Sequence, residues 1–99
     1  MPVKSMITDS SATVTSDPYI ATGHELQVHA FGTFDTGNVT VLVSSTSDVA
    51  DAATLADMSF ASVGIDSFRP AAGAYVWLKH TVGGTESVSA NLISDFIQE

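Results

Sequence analysis

The stretch AYVWLKHTVGGTESVSANL, residues 74–92, shows the alternation of side chains that decides the fold class. Val76 and Leu78 fall on one side of its first strand and predict a core-facing side, because successive side chains of a strand point to opposite faces. Tyr75 and Trp77 fall on the other side. The only tryptophan of the chain is therefore predicted to face either water, a partner, or a loop of the protein itself.

Glycine-containing turns divide the clearest strands into two predicted hairpins. The Gly-Gly pair at 83–84 is favoured in two-residue hairpin loops, and it separates the strands predicted at 74–82 and 85–93. A strand at 24–34 and a Val-alternating strand at 39–44 are separated by the turn-forming sequence DTGN. Each of these two pairs of strands is predicted to form an antiparallel hairpin.

The period of two continues through most of the remaining chain. Short strands are predicted at 3–8, 11–15 and 58–65, and the first two could pair with each other. Alternation is lost over 45–57, a polar stretch that predicts a long loop. The turn composition at every 8–12 residues is typical of small antiparallel β folds.

About seven short strands predict an all-β protein, an antiparallel β-sandwich that is either Ig-like or jelly-roll-like. One short helical turn is predicted near 48–56, with Ser47 or Asp48 as its N-cap. The length suits a single sandwich domain over 1–99, in which 1–8 is a candidate interface arm that could add as a strand to a neighbour's sheet.

Composition disfavours several classes of partner. The chain has 3 basic and 11 acidic residues, a net charge of −8, and no cysteine. Binding to nucleic acid or to an anionic membrane requires clustered cations, whereas Lys4, Arg69 and Lys79 are few and scattered. Neither a targeting segment nor a run of about 18 apolar residues is found. We therefore expect no nucleic acid and no membrane as partner.

Neither catalysis nor metal binding is predicted. No two histidines have the spacing that places both on one strand face, and the loop aspartates lack the pattern of a calcium-binding loop. Without a cysteine or a G-x-S-x-G motif, nothing in the sequence predicts a nucleophile. We expect a non-enzyme with no catalytic residue, no metal and no cofactor. The residues considered for these roles are His24, His29, His80, Asp48, Asp51 and Asp57.

The outward aromatic pair is the main candidate for function. Aromatic side chains are enriched at the centres of protein interfaces, and they also stack on sugar rings; alternatively, loop 45–57 could cover them. On the interface hypothesis, Trp77→Ser leaves the monomer folded and weakens assembly. The candidate interface residues are Tyr75, Trp77, Val3, Met6 and Phe31.

Two segments resemble a type of small tailed-phage virion protein. The segment FGTFDTGNVTVLVSSTSD is similar to the family's Val-alternating strand that runs into a Ser-x-Asp element. The segment GAYVWLKHTVGGTESVSANLI is similar to its C-terminal hairpin, YVR-x-x-x-T-x-G-T-x-S-V-x-V-x-L. The similarity runs over Gly32–Asp48 and Tyr75–Leu92, about a third of the chain. Here Thr46 replaces the first Ser, Trp77 replaces the Arg, and the Gly and Trp that often follow the Ser-x-Asp element are lacking.

The resemblance implies a structural role in a virus particle. The first expectation is a capsid decoration (cement) protein that stabilises the phage head by binding the major capsid protein or another virion protein. It would be made in the host cytoplasm, located in the virion, and assembled as a homo-oligomer, a trimer or dimer. The alternatives are a neck, tail or fibre component, or a carbohydrate-binding β-sandwich module.

Overall fold

A computed structural model describes residues 3–95, which form nine strands and one 3₁₀ turn. Met1 and Pro2 of the predicted N-terminal arm, and residues 96–99 of the predicted domain, lie outside the described residues. The strands are β1 (Val3–Ser10), β2 (Val14–Thr15), β3 (Tyr19–Ile20), β4 (Leu26–Thr33), β5 (Asn38–Ser44), β6 (Ala53–Phe60), β7 (Gly64–Phe68), β8 (Tyr75–Thr81) and β9 (Ser87–Ile93). The 3₁₀ turn spans Val49–Asp51.

Two antiparallel sheets pack face to face, as the alternation predicted for an all-β sandwich. The first sheet has the order β1-β9-β4-β7. The second has the order β2-β8-β5-β6, and the short strand β3 pairs with β8 beside β2. The central strands of the two sheets are therefore β9 and β4 in one, and β8 and β5 in the other.

The connections between strands are those of a jelly roll. Strands of the first half pair with strands of the second half in reverse order: β1 with β9, β2 and β3 with β8, β4 with β7, and β5 with β6. The chain is thus one long antiparallel hairpin, closed between β5 and β6, that is wrapped into two sheets. This arrangement identifies the jelly roll among the two sandwich types predicted.

The inward side chains of both sheets form one apolar core. In the central strands, inward and outward positions alternate. Burial of the inward apolar side chains is the main favourable contribution to folding. The largest fully buried side chains of the core are Leu26, Leu78, Leu92, Val28, Val39, Val41, Val76 and Val88.

Both predicted hairpins are wrong, although their strands are present. Strands β4 and β5 lie in different sheets, and so do β8 and β9. The turn at 35–37 and the Gly83-Gly84 turn are loops that cross from one sheet to the other. The predicted pairing of 3–8 with 11–15 is also wrong, because β1 pairs with β9 and β2 pairs with β8.

The middle of the chain is more ordered than the predicted long loop. The helical turn is confirmed as a 3₁₀ turn, and Asp48 is its N-cap, since its side chain accepts a hydrogen bond from Ala50 N. The loop prediction is wrong beyond this turn, because β6 begins at Ala53. The single strand predicted at 58–65 is wrong as well: the bend at 61–63 separates β6 from β7.

Candidate interaction surfaces

The outward side of the first sheet, which we call the first face, carries only uncharged groups and one histidine at its paired positions. The register places twelve residues of its paired strands outward: four are apolar, seven carry a hydroxyl or amide, and one is His29. They are Val3, Ser5, Gln27, His29, Phe31, Thr33, Ile65, Ser67, Ser87, Ser89, Asn91 and Ile93.

The outward side of the second sheet, which we call the second face, has nearly the same composition. Its twelve paired outward residues comprise two aliphatic side chains, a tyrosine and a tryptophan, seven Ser, Thr or Asn residues, and Lys79. They are Thr15, Ile20, Asn38, Thr40, Leu42, Ser44, Thr54, Ser59, Tyr75, Trp77, Lys79 and Thr81.

The acidic residues lie outside the paired positions of these two faces, although Asp57, on β6 two residues before the outward Ser59, borders the second face. Of the ten that the structure describes, none occupies one of the 24 paired outward positions, 12 on each face. Asp9 stands at the rim of the first face, where its carboxylate lies 3.5 Å from Ser89 Oγ. A chain of net charge −8 therefore presents two broad surfaces without a carboxylate at any paired outward position.

The two edges of the first sheet are closed to a further strand. Lys4 on β1 is opposite the core residue Leu92, and Asp66 on β7 is opposite the core residue Val28. Charged residues at inward positions of edge strands discourage edge-to-edge pairing, and so do the two register irregularities of β1. The described part of the predicted arm is an edge strand of the chain's own sheet. Its addition to a neighbour's sheet, which would require release from β9, stays a prediction.

The predicted aromatic pair lies on the second face, but its two rings differ in exposure. The rings of Tyr75 and Trp77 are stacked, with centroids 6.2 Å apart. Trp77 is only 3% exposed, whereas Tyr75 is half-buried. Trp77 is opposite Leu42 in the register and lies outside the core cluster. The chain itself covers the tryptophan, and its role at an interface stays a prediction.

The five predicted interface residues do not form one surface. Phe31 and Val3 are half-buried on the first face, so they lie on the opposite side of the sandwich from Tyr75 and Trp77. The Phe31 ring stacks on His29 with centroids 4.8 Å apart. Met6 is half-buried in the register irregularity of β1 and packs against the core. The structure therefore offers two separate candidate surfaces.

A buried polar cluster, which sequence analysis missed, lies at one end of the sandwich. His80 Nδ1 lies 3.0 Å from Ser10 Oγ, and His80 Nε2 lies 3.2 Å from Glu86 Oε1. The Nε2 contact is short but is not aligned as a hydrogen bond. The side chains of His80 and Glu86 are fully buried. His80 shares the inward side with Val76 and Leu78, so strict alternation along β8 could have indicated its burial.

Glu86 joins the two loops that cross between the sheets. Its carboxylate accepts hydrogen bonds from Gly83 N at 2.5 Å and from Asp35 N at 3.1 Å. Asp35 in turn accepts from Thr85 N at 3.2 Å. The backbone donors of Gly83 and Asp35, and then His80, lower the pKa of Glu86 and outweigh the opposing effect of burial.

Serine, histidine and glutamate also form Ser-His-Glu catalytic triads, but here the hydroxyl proton of the serine is used in a different hydrogen bond. Ser10 Oγ donates its only proton to Ala12 O at 2.7 Å. Ser10 therefore accepts a hydrogen bond from His80 Nδ1 and is not activated by it as a nucleophile. The cluster connects the end of β1, strand β8 and the two loops, which is a structural role.

The residues considered for metal binding are not brought together. His24 precedes β4, His29 lies on the first face, and His80 is buried. Asp51 accepts a hydrogen bond from the Thr46 hydroxyl, and Asp57 lies on β6. Within residues 3–95, no group of three or more His, Asp or Glu side chains could hold a metal ion.

No family model and no curated protein matches the chain. In the described part of the chain, the search for a helix with the length and hydropathy of a membrane span found none.

Proposed function

We propose that this protein is a non-enzymatic structural component of a virus particle, a decoration protein that binds the major capsid protein and stabilises the head. The observation that carries the proposal is the distribution of charge. Both sheet faces lack carboxylates at their paired outward positions, although the chain has a net charge of −8. Depletion of charged residues is the compositional mark of the buried centre of protein interfaces.

The fold and the resemblance support the same proposal. Jelly rolls are used by viral capsid proteins, although they also occur in lectins and cupins. The two segments similar to virion proteins contain β5 and β8, the central strands of the second sheet, and most of β9, a central strand of the first. The exposed acidic loops would keep a densely coated particle soluble.

We assign the capsid contact to the second face. Ile20 is 55% exposed there, next to Tyr75 in the register, and Leu42 is half-buried beside Trp77. These residues form an apolar patch that a partner could cover. Lys79 is the only charged residue at a paired outward position of this face, and it would be complemented by an acidic group of the partner.

A carbohydrate-binding module is the second candidate, because the second face presents a stacked pair of aromatic rings. The burial of Trp77 leaves Tyr75 as the ring with area to offer a sugar. This candidate predicts retention of the protein on a polysaccharide resin, and loss of that retention in Tyr75→Ser. The virion proposal predicts neither.

The test is the copy number of this chain in purified particles of its source, measured by quantitative mass spectrometry against the major shell protein. We expect a ratio comparable to that of the shell subunit, since decoration coats the whole head. The particles are treated with nuclease and washed in salt, and an abundant cytoplasmic protein of the host serves as the control for carry-over.

Other ratios would change the assignment. A handful of copies per particle would make the protein a neck, tail or fibre component and reject decoration. Absence from particles would reject the virion proposal altogether, and the resin assay would then decide on the carbohydrate-binding module.

A further inference from the structure

We infer that the first face is a self-association surface, on which a second copy of this chain packs face to face around a two-fold axis. The inference assigns a surface to the homo-oligomer that the resemblance implies, and it rests on that expectation. It does not depend on the virion assignment, because the capsid contact is placed on the opposite face.

The chemistry of the first face is self-complementary. In a two-fold interface the same patch meets itself, so every group must find a partner among copies of the same groups. Hydroxyl and amide groups meet this condition because each can both donate and accept. Carboxylates only accept and ammonium groups only donate. Seven of the twelve paired outward residues carry a hydroxyl or amide, and none carries a carboxylate or ammonium group.

The apolar residues of the first face offer area that the monomer leaves uncovered. Ile65 is 54% exposed, and Phe31, Ile93 and Val3 are each half-buried. They lie on four different strands, β7, β4, β9 and β1, so the apolar area crosses the whole sheet. A second sheet packed against this face would cover all four at once.

The second face is less suited to the same contact. Lys79 lies opposite Thr40 in the middle of the β5–β8 ladder, so a two-fold contact would bring two ammonium groups near each other. Trp77, its largest ring, is already 3% exposed and has little area left to bury. Self-association is therefore assigned to the first face.

Sheets can also associate by addition of a strand at an edge, but the edge strands of the first sheet disfavour this. Lys4 and Asp66 occupy inward positions on its two edge strands. A strand added at either edge would have to pack beside one of these charges. Face-to-face packing leaves both charges at the rim.

The size of the face sets the expected affinity. Four strands about 4.8 Å apart and about seven residues long span roughly 450 Å² in projection. Two copies would thus bury about 900 Å², with more from the rim, which is less than the roughly 1,200 Å² of stable specific interfaces and is typical of weak, transient ones. We expect a dimer that dissociates at micromolar concentrations.

The charge of the chain gives this dimer a distinctive salt dependence. Two copies of net charge −8 repel each other, and salt screens that repulsion, with a screening length of about 30 Å at 0.01 M and about 10 Å at 0.1 M. Because the contact itself contains no ion pair, we expect the dissociation constant to fall as salt is added. Binding that depends on ion pairs between opposite charges would weaken instead.

Sedimentation equilibrium of the full chain from 1 µM to 1 mM, at both salt concentrations, tests the inference with two matched pairs of variants. Asn91→Asp adds one charge to the first face, and Asn38→Asp adds the same charge to the second; both residues are half-buried. Ile65→Ser and Ile20→Ser remove apolar side chains that are 54% and 55% exposed. Circular dichroism confirms that each variant is folded.

We expect Asn91→Asp and Ile65→Ser to weaken the dimer at least about tenfold, and Asn38→Asp and Ile20→Ser to leave it within about twofold of the wild type. A monomer at 1 mM in both salts would overturn the inference. A dimer weakened only by the two second-face variants would overturn it as well, and so would a dimer weakened by salt. None of these results bears on particle copy number, so failure here is distinguishable from failure of the virion proposal.

Discussion

The two sheet faces match in composition but differ in how much of their aromatic surface the chain covers. Each face has four aliphatic or aromatic residues and seven Ser, Thr, Asn or Gln residues among its paired outward positions. Each also has a stacked ring pair two residues apart on one strand, His29 with Phe31 and Tyr75 with Trp77. Yet Phe31 is half-buried, whereas Trp77 is 3% exposed.

The difference shows that an outward position and an exposed side chain are separate properties. Alternation places Phe31 and Trp77 on equivalent outward positions, and neighbouring side chains decide what remains accessible. Trp77 has Leu42 opposite it and the Tyr75 ring stacked on it, whereas Phe31 is opposite the small residue Ser89. The outward ring of Trp77 is therefore part of the monomer's own packing, whereas Phe31, like Tyr75, keeps some of its ring available to a partner.

The largest expected effect is the loss of stability in Trp77→Ser. Removing a buried tryptophan leaves a cavity and should cost about 3–5 kcal/mol of unfolding free energy, a large part of the 5–15 kcal/mol typical of a domain. The expectation from the sequence is that this variant leaves the monomer folded; the burial of Trp77 adds that the folded monomer would be much less stable. Phe31→Ser should cost less, about 1–3 kcal/mol, because that side chain is only partly buried.

Urea unfolding of both variants, followed by circular dichroism, measures this difference. Equal losses of unfolding free energy in the two variants would contradict the difference in burial between Trp77 and Phe31. Sedimentation at high concentration provides the complementary result, since Phe31→Ser should weaken the dimer although it is the milder change for folding.

A smaller effect on stability is expected from Glu86, a carboxylate that the chain buries. Hydrogen bonds from Gly83 N and Asp35 N keep the pKa of Glu86 below its usual value. A lowered pKa in the folded state means that Glu86 contributes stability above its unfolded pKa, and that this contribution is lost as the pH falls through the folded pKa. Thermal unfolding of the wild type should thus show a declining Tm below about pH 4, the ordinary range of glutamate.

Glu86→Gln isolates this contribution, because it removes the charge and keeps the shape. We expect a lower Tm at neutral pH and a flatter dependence of Tm on pH between 5 and 2.5. Glu25→Gln, at an exposed carboxylate, is the control. Equal slopes for Glu86→Gln and the wild type would show that the buried carboxylate does not link folding to pH.

Alternation along the chain was sufficient to predict the sandwich and most of its strands, but not β3, the separation of β6 from β7, or which strands pair. The inward faces of both sheets meet the same core, so a strand shows the same period of two in either sheet. A hairpin and a loop that crosses between sheets therefore have the same flanking pattern, and Gly83-Gly84 is compatible with both. What distinguishes them is a set of long-range contacts, such as Thr36 N with Gly83 O at 2.8 Å, which no local pattern reveals.

The candidate surfaces were predictable to a similar degree. The pattern correctly placed Tyr75 and Trp77 outward, and Phe31 on the polar side of its strand. It could not show that these residues lie on opposite faces of the molecule, because that depends on sheet membership. The cluster of His80 and Glu86 was missed because its members come from an inward strand position and a loop, and only the sheet-crossing path of the chain brings them together.

The smallest effect on stability, and the sharpest separation of the two faces, is expected from Ile20→Ser and Ile65→Ser. Both side chains are more than half exposed, so each change should cost about 0.5 kcal/mol or less of unfolding free energy.

If the faces have different partners, the functional effects must be opposite. Ile20→Ser should reduce the copies bound per particle severalfold and leave the dimer intact, whereas Ile65→Ser should weaken the dimer and leave a single copy able to bind its capsid site. Quantitative mass spectrometry of particles assembled with each variant, beside sedimentation of the free chains, measures both. Parallel losses in the two assays would mean that one continuous surface serves both contacts, or that decoration requires the dimer, and the assignment of separate partners to the two faces would then be wrong.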